Sequence, residues 1–212
     1  MVDAVIFDFD GVLVDTMDLH FKTWQKLAEL LGYDLPPELK KSMRGASRFN
    51  SLAIVLDHGK VLADDRLKAS YADLKDKWFQ EELQDASSNI ILPGVLTLLE
   101  SLKQRGIQCA VASSSRNAKN ILKKLEIDTC FKIILDANDI DKSKPDPAVF
   151  QETILFLNSK PQNTWIIEDS PLGIQAAKQL GCKTIAVGPH AFGCGADLEV
   201  NSMDEINANI FS

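Results

Sequence analysis

The feature that most constrains this chain is an apolar run near its N-terminus that ends in two aspartates. The run at residues 5–7 leads directly into Asp8, and Asp10 and Gly11 follow. A continuous apolar run that ends near a glycine is typical of a strand buried on both faces of a parallel sheet. Two carboxylates one residue apart repel each other, so the pattern predicts either a bound hard cation such as Mg²⁺ or a raised pKa on one aspartate. A strand followed by a solvated acidic turn is the alternative interpretation.

Two more apolar runs end at residues that suit phosphate chemistry. The run at 107–112 stops at the serine cluster 113–115, just before a predicted helix at 117–125. Hydroxyl and backbone N–H groups in such a turn can bind an anion. The run at 165–167 leads into a further acidic pair at 168–169. Two acidic loops at strand ends can share one metal ion.

Lys144 lies between these two runs, in a loop that contains Pro145 and Pro147. Each proline fixes one backbone angle, and proline is common at the first position of a helix. We therefore expect a stiff loop, followed by a helix, that holds the Lys144 ammonium in place.

The aspartate pair, the serine, the lysine and the second acidic pair occur in the order of the four motifs of the haloacid dehalogenase superfamily, which this chain resembles. The segment DFDGVLVDT at residues 8–16 carries the first motif intact. The resemblance implies a phosphotransferase or phosphatase core that uses Mg²⁺.

The chain is predicted to contain one catalytic core and one inserted domain. From Pro93 onward, apolar runs that fit strands alternate with helical patterns, which indicates βαβ units and a parallel sheet. Between these parts no strand pattern appears, and helical segments are separated by glycines and prolines. We predict an α/β fold with a Rossmann-like doubly wound parallel sheet, the haloacid dehalogenase fold, from residues 1–14 and 93–212. Residues 15–92 are predicted to form an all-helical cap.

Parallel sheets bind ligands at the carboxyl ends of their strands, so all four motifs are expected to converge at one edge, under the cap. The cap hinges are expected near residues 14–16 and 91–94, and closure would expel water from the site. The stretch from residue 197 onward is expected to form a last short strand and a helix.

Composition limits the classes of function. A formal net charge of -7 over 212 residues argues against nucleic acid as a partner, because phosphate backbones need a basic surface. No run is long enough to span a membrane, and the chain starts with a core strand rather than a signal segment. The four cysteines lack CxxC spacing, so we expect them to be reduced. A cytoplasmic protein without a membrane partner is therefore expected.

Two cap segments and one lysine resemble the β-phosphoglucomutase family of this superfamily. Residues 20–24 open the first helix, residues 45–52 form a turn and a helix start, and Lys75 lies in the long amphipathic segment 63–84. The similarity extends over nearly the whole chain. It implies interconversion of β-glucose 1-phosphate and glucose 6-phosphate through a bisphosphate intermediate. The expected partner is thus a small-molecule sugar phosphate, and we expect the enzyme to be a monomer.

The resemblance implies a role for each motif residue of the core. Asp8 would be the nucleophile that becomes an aspartyl phosphate, and Asp10 would be the general acid and base. Ser113 and Lys144 would hold the transferring phosphoryl group. The implied Mg²⁺ ligands are Asp8, Asp10 through its backbone carbonyl, Glu168 and Asp169.

The resemblance also implies a set of substrate-binding residues. Arg48 would bind the distal phosphate, His20 would couple cap closure to Asp10, and Lys75 would line the sugar side. Arg116 stands where the family often has lysine, a change that keeps the charge. The other residues of the set are Trp24, Gly45, Ser47, Ser51, Ser114, Ser115 and Asn117.

Elementary chemistry supports several of these roles. A carboxylate attacks a phosphate dianion slowly unless a metal ion and a group such as Lys144 neutralise the developing charge. An acid catalyst must be partly protonated, and a neighbouring Asp8 is expected to raise the pKa of Asp10. The planar fork of Arg48 matches two phosphate oxygens, and Gly45 lets the backbone come close.

The cap residues are also compatible with purely structural roles. His20 and Trp24 lie four residues apart on one helical face with two leucines, a pattern that core packing also produces. Packing is preferred for Trp24 and function for His20. Arg48 is alternatively a surface arginine at a helix start, and Lys75 is alternatively part of a charged, solvated helix face.

Three classes of function follow. The first is a hexose phosphate mutase, and the second is a hydrolase of the same superfamily that acts on sugar phosphates or phosphoglycolate. The third is a receiver-like module phosphorylated on Asp8, which would lack both Asp10 as acid and base and a long helical insert. Mutase and hydrolase share every core motif, so the cap residues decide between them.

Overall fold

The computed structural model describes residues 2–84 and 90–211. It divides into two compact units, one formed by Met1–Asp15 with Ile91–Ser212 and the other by Thr16–Ile90. We call them the sheet unit and the helical unit. The predicted boundaries lay after residues 14 and 92, and the predicted cap range includes residues 85–89, which lie outside the described residues. A role for the helical unit as a cap stays a prediction.

Within the described residues, strands and α-helices alternate in the sheet unit as far as β5, whereas the helical unit contains helices. The strands are β1 (Ala4–Phe7), β2 (Gln108–Ala112), β3 (Ile133–Leu135), β4 (Thr164–Glu168), β5 (Lys183–Val187) and β6 (Leu198–Val200). The α-helices are α1 (Met17–Leu30), α2 (Lys40–Met43), α3 (Arg48–His58), α4 (Asp65–Gln84), α5 (Val95–Gln104), α6 (Ala118–Lys124), α7 (Ala148–Phe156) and α8 (Pro171–Gln179).

The sheet is parallel throughout, with the strand order β3-β2-β1-β4-β5-β6. All four residues of β1 are buried, as the continuous apolar run indicated. Because β1 is central and β2 and β4 flank it, the loops after these three strands leave the sheet side by side. This is the change of strand order at which open parallel sheets bind ligands.

Helices cover both faces of the sheet. Ile6 and Ile166 point to the face that packs against Phe150 of α7 and against α8. Successive residues of a strand point to opposite faces, so Trp165 lies on the other side. There its ring packs edge to face on Phe211, with 5.7 Å between centroids, and α5 contacts the same C-terminal segment. The doubly wound parallel sheet predicted from the sequence is confirmed.

The helical unit has its own apolar core. Trp24 and Leu27 of α1 pack with Leu52 and Val55 of α3 and with Ala72 of α4. All five are buried, and their spacing along α1 and α3 is the i, i+3 repeat of an amphipathic helix. These contacts join α1, α3 and α4 into one packed unit.

The structure corrects three predicted boundaries. The long helix α4 begins at Asp65 rather than at residue 63, because the Asp64 carboxylate caps it by accepting the Leu67 N–H at 2.8 Å. Helix α6 runs from Ala118 to Lys124 and is one residue shorter at each end than the predicted helix at 117–125. After β6 the chain forms two short 3₁₀ helices, Met203–Glu205 and Ala208–Phe211, in place of the expected helix.

No helix among the described residues is both long enough and apolar enough to cross a membrane. The four cysteines carry free thiols, and Cys109 and Cys182 are buried. Burial raises the pKa of both thiols to about 12.

The two glycines that flank α5 allow a test of backbone packing. Gly94 has φ +86°, and a Cβ at this position would lie 2.4 Å from the Asp204 Cα. Gly94→Ala therefore combines left-handed strain with a collision between backbones, and we expect the free energy of unfolding to fall by roughly 2–4 kcal/mol. Urea titration followed by circular dichroism measures the loss.

Gly106→Ala is the matched control, because Gly106 has φ +69° but a Cβ added there would meet no atom within 4 Å. In Gly106→Ala, backbone strain alone should lower the free energy of unfolding by about 1 kcal/mol. Equal losses in the two variants would contradict the close approach at Gly94.

Candidate active site

Four ionisable side chains meet at the carboxyl end of the sheet. Asp8 follows β1, Glu168 ends β4 and Asp169 follows it. The Asp8 N–H donates to the Ile167 carbonyl at 2.9 Å, which fixes the two strand ends side by side. Lys144 reaches the same point from the loop that precedes α7. All four side chains are buried.

Lys144 is held by three acceptors. Its Nζ donates to Asp8 Oδ1 at 2.5 Å, to Glu168 Oε1 at 2.5 Å and to the Ala112 carbonyl at 3.1 Å. The Phe150 ring lies against the ammonium, with its centroid 4.8 Å from Nζ. An ammonium has three N–H donors, so these three acceptors satisfy it completely. The predicted fixed ammonium is therefore present, and it contacts the predicted nucleophile.

Burial and charge act in opposite directions on this pair. Burial raises the pKa of Asp8, the Lys144 charge lowers it, and the carboxylates of Glu168 and Asp169 raise it again, so that it lies well above its usual value. Burial lowers the pKa of Lys144, but the charges of Asp8 and Glu168 outweigh this effect and raise it. Lys144 therefore stays charged, and the carboxylate cluster carries an excess of negative charge.

This cluster has the donor chemistry of a hard-metal site. Asp8, Glu168 and Asp169 each offer a carboxylate oxygen, and these oxygens lie within 4.8 Å of one another. With all three ionised, one ammonium leaves two formal negative charges uncompensated. A divalent cation that prefers oxygen ligands, such as Mg²⁺, fits both the charge and the donor set. The Asp10 side chain is not part of this group, and a contribution of its backbone carbonyl stays a prediction.

Glu168 is positioned from the start of the next helix. Its Oε2 accepts the Ser170 N–H at 3.0 Å and the Ser170 hydroxyl at 2.8 Å. The Ser170 Oγ in turn caps α8 by accepting the Gly173 N–H at 3.1 Å. The carboxylate also fills the space beside Gly173, where a Cβ would lie 1.9 Å from the Glu168 Cδ. One carboxylate thus links the lysine, the strand end and the helix start.

The turn after β1 presents Asp10 differently from Asp8. The Gly11 N–H donates to the Val14 carbonyl at 2.7 Å, and the Val14 N–H donates back to the Phe9 carbonyl at 3.2 Å. These backbone bonds fix the turn. Asp8 is buried, whereas Asp10 is half-buried. The different exposure suits a nucleophile and a proton-transferring group, respectively.

The serine turn after β2 is organised by its own hydroxyls. Ser113 Oγ accepts the Ser115 N–H at 3.0 Å, and Ser115 Oγ accepts the Asn117 N–H at 3.2 Å. Ser113 and Asn117 are buried, Ser114 and Ser115 are half-buried, and Arg116 is exposed. Each serine oxygen that accepts a bond keeps its own O–H proton for a second partner, such as a phosphate oxygen.

In the helical unit, His20 and Lys75 form a hydrogen-bonded pair. Lys75 Nζ lies 2.7 Å from His20 Nδ1, with the Trp24 and Phe79 ring centroids 5.1 Å and 4.7 Å away from Nζ. The His20 ring stacks on Phe79, with 4.1 Å between centroids. A lysine ammonium only donates, so Nδ1 accepts and the ring proton is on Nε2. Burial and the Lys75 charge both lower the pKa of His20 well below its usual value.

Lys75 is therefore not part of a solvated helix face, since only 2% of it is exposed. Trp24 is buried in the core of the unit, which agrees with the preferred packing interpretation. Its ring lies against the Lys75 ammonium, and a role for Trp24 in substrate binding stays a prediction.

Arg48 is the first residue of α3, and its side chain is only 14% exposed. Its Nη1 donates to Asp73 Oδ1 at 2.9 Å and to Asp76 Oδ2 at 2.6 Å. Ser47 is the N-cap of the same helix, because its Oγ accepts the Asn50 N–H at 3.2 Å.

The other predicted residues of the segment 45–52 lie before and after Ser47, the N-cap of α3. Gly45 is half-buried in the turn before α3, and Ser51 is buried on α3, where its N–H donates to the Ser47 carbonyl at 2.9 Å.

Sequence reasoning missed the residues that hold these side chains. Ser170 carried a signal, because a serine before a proline is typical of a helix N-cap. Gly173, Asp73, Asp76 and Phe79 carried none, because their importance depends on which side chain of another element lies beside them.

Comparison with known proteins identifies the family. The family model described as haloacid dehalogenase-like hydrolase matches residues 5–187. The chain belongs to the haloacid dehalogenase-like hydrolase family. Over 209 residues it is 34% identical to a β-phosphoglucomutase of Bacillus subtilis. The matched region covers 98% of this chain and 92% of that protein. The chain is 30% identical over 200 residues to a phosphorylated carbohydrates phosphatase of Thermotoga maritima, covering 93% of this chain and 90% of that protein.

The fold comparison agrees with this assignment. The crystal structure of a β-phosphoglucomutase from Clostridium difficile matches with a TM-score of 0.93 and 33% identity, over 99% of this chain and 95% of the other. The predicted resemblance and the haloacid dehalogenase fold are both confirmed. The chain is therefore an enzyme of the haloacid dehalogenase superfamily, and its relatives include both mutases and phosphatases.

The close approach of Gly173 to Glu168 leads to a test of the family's core site. Gly173→Ala would force the Glu168 carboxylate away from Lys144 and Ser170. A misplacement of about 1 Å can lower turnover about 100-fold, so we expect a loss of that order. The measurement is Mg²⁺-dependent release of phosphate from acetyl phosphate, per folded enzyme.

Gly181→Ala is the control, because Gly181 follows the same helix and has open space around it. This variant should retain wild-type turnover and lose only stability. Full activity in Gly173→Ala would show that Glu168 does not need its present position.

The pair of His20 and Lys75 leads to a second test. Lys75→Met removes the ammonium but keeps most of the side-chain volume, so we expect the pKa of His20 to rise. It should remain below the usual value because burial persists. Nuclear magnetic resonance titration of the imidazole measures the change.

Lys77→Met on the same helix is the control, since Lys77 is exposed. Removal of its charge should leave the His20 titration unchanged. A similar His20 pKa in wild type and in Lys75→Met would contradict the direct contact.

Proposed function

We propose that the enzyme is a β-phosphoglucomutase, which interconverts β-glucose 1-phosphate and glucose 6-phosphate through an aspartyl phosphate and a bisphosphate intermediate. The observation that carries this proposal is the cluster that two cationic side chains and a neutral histidine form in the helical unit. Arg48, Lys75 and His20 are partly or fully buried there and linked by hydrogen bonds and ion pairs. Hydrolysis of a phosphate ester does not require such a cluster, whereas binding the second phosphate and the hydroxyls of a sugar bisphosphate does.

In the proposed reaction, an Asp8 oxygen attacks the phosphorus of the bound sugar phosphate, and the bond from phosphorus to the sugar oxygen breaks. Asp8 becomes an aspartyl phosphate, and the sugar oxygen leaves as a hydroxyl with a proton from Asp10. Lys144 donates hydrogen bonds at the Asp8 carboxylate and is therefore placed to neutralise charge that develops on the phosphoryl oxygens. The Ser113 hydroxyl is buried and would donate a further hydrogen bond to the phosphoryl group. Mg²⁺, when held by Asp8, Asp169, Glu168 and the Asp10 carbonyl, would supply charge neutralisation at the same oxygens.

Asp10 would transfer the proton of the sugar oxygen. Asp10 lies two residues after Asp8 and is half-buried, so it could face a substrate hydroxyl while Asp8 remains covered. Phosphoryl transfer from Asp8 to a sugar hydroxyl requires a base, and the reverse transfer requires an acid. One carboxyl group can serve both steps.

The non-reacting end of the sugar phosphate is assigned to the helical unit. The Arg48 guanidinium would bind the distal phosphate, and Lys75 would contact the sugar. Neutral His20, with its proton on Nε2, would donate a hydrogen bond from that nitrogen. The serine turn with Ser114, Ser115, Arg116 and Asn117 would complete the phosphate contacts from the sheet unit.

A phosphatase of sugar phosphates is the second candidate. The Thermotoga maritima relative, a phosphorylated carbohydrates phosphatase, matches nearly the whole chain at 30% identity. Both reactions use the same aspartyl phosphate and differ only in whether a sugar hydroxyl or water accepts the phosphoryl group.

One assay separates these candidates. The enzyme is incubated with β-glucose 1-phosphate, Mg²⁺ and a trace of glucose 1,6-bisphosphate, and glucose 6-phosphate and free phosphate are measured in the same sample. We expect glucose 6-phosphate to form at least about 100-fold faster than free phosphate, because oriented binding favours the sugar acceptor over water.

Asp8→Asn is the control. The amide is nearly isosteric with the carboxylate but cannot form an acyl phosphate, so both products should disappear while the melting temperature changes little. Release of phosphate from several sugar phosphates, with no glucose 6-phosphate formed from β-glucose 1-phosphate, would overturn the mutase assignment in favour of the phosphatase.

A further inference from the structure

Two carboxylates of α4 hold one end of the Arg48 guanidinium. Asp73 Oδ1 and Asp76 Oδ2 both accept hydrogen bonds from Nη1. The two aspartates are three residues apart and therefore lie on the same face of α4. Nη1 carries two hydrogens, so each carboxylate takes one of them.

This arrangement selects the edge of Arg48 that can bind a ligand. With Nη1 fully used, the paired donors that remain are Nε–H and one N–H of Nη2. Nε is buried and makes no hydrogen bond to the part of the chain that the structure describes. A buried N–H without an acceptor is costly, and two parallel N–H groups match two oxygens of a phosphate. The Nε and Nη2 edge is thus suited to an oxyanion.

The two aspartates differ in their surroundings. The Asp76 side chain is 22% exposed, whereas that of Asp73 is 74% exposed. The second oxygen of Asp76, Oδ1, lies 3.7 Å from Lys75 Nζ. Asp76 therefore lies between the two cations assigned to the substrate, and its ion pair with Arg48 is screened less by solvent than that of Asp73.

We propose that Asp76 is a positioning residue that fixes the Arg48 guanidinium so that its Nε and Nη2 edge binds the distal phosphate of the sugar phosphate. The proposal rests on the assignment of Arg48 under the proposed function. Without Asp76, the long arginine side chain regains rotamer freedom and loses the partner that directs Nη1 away from the ligand. Binding then has to order the side chain again, which weakens it.

The sign of the expected effect distinguishes positioning from simple charge. Asp76 is negatively charged, so its removal should strengthen the binding of a phosphate if charge alone mattered. Positioning predicts the opposite result, a weaker complex. The direction of the change is therefore informative on its own.

The experiment measures binding of glucose 6-phosphate by titration calorimetry, which needs no turnover. Asp76→Ala and Arg48→Ala are each expected to raise the dissociation constant about tenfold, and the double variant should bind no more weakly than Arg48→Ala. Asp76→Glu, which keeps the carboxylate, should recover part of the loss. Asp73→Ala is the matched control, and its exposed ion pair predicts less than about a twofold change.

Asp76→Asn keeps the size of the side chain without its charge, and it replaces Asp76→Ala if that variant does not melt cooperatively. Tighter binding in either Asp76 variant would overturn the positioning role and leave the proposed function standing. So would an Asp76 substitution that lowers affinity equally in the wild type and in Arg48→Ala. Unchanged binding in Arg48→Ala would overturn the Arg48 assignment and the positioning role together. A failed mutase assay does not affect this test, because sugar phosphate binding is measured directly.

Discussion

The site of the sheet unit depends on one buried ammonium. Lys144 donates to both Asp8 and Glu168, each at 2.5 Å, and is almost completely removed from solvent. Three carboxylates cannot be buried together without opposite charge, and loss of one partner from a buried ion pair typically costs about 3–5 kcal/mol. Removal of Lys144 would therefore disturb folding as well as catalysis. The same charge that makes the acidic cluster tolerable is the one that the proposed function assigns to the transferring phosphoryl group.

The fold explains why these groups meet. The strand order places β1 between β2 and β4, and all three strands end at the same edge. Short loops then bring Asp8 and the acidic pair to that edge, and Ser170 links the second of these loops to the start of α8. Site geometry is fixed by backbone register and by a helix cap, both of which resist displacement. This rigidity suits electrostatic stabilisation, which requires charges that are already in place.

The helical unit also buries charged side chains, but it brings them together by helix packing. Its cations are not gathered by strand ends but by packing of α1, α3 and α4 around an apolar core. Asp76 lies between Arg48 and Lys75, and Lys75 contacts His20. The aromatic rings of Trp24 and Phe79 accompany the buried ammonium. The carboxylate and the aromatic rings stabilise the two cations, so that these charged groups remain buried.

The sequence by itself determined the parallel sheet, the inserted helices and the core motif residues, because apolar periodicity and strand-end chemistry are local properties. It also supported a functional hypothesis for His20, Arg48 and Lys75, through resemblance to a family. It left the buried state of Lys75 open, since a charged helix is typically solvated, and it carried no sign of Asp76 beside Arg48 or of Gly173 beside Glu168. Only the tertiary structure decided these contacts, because they depend on how separate elements or successive turns pack, and no local pattern records which side chains such packing brings together.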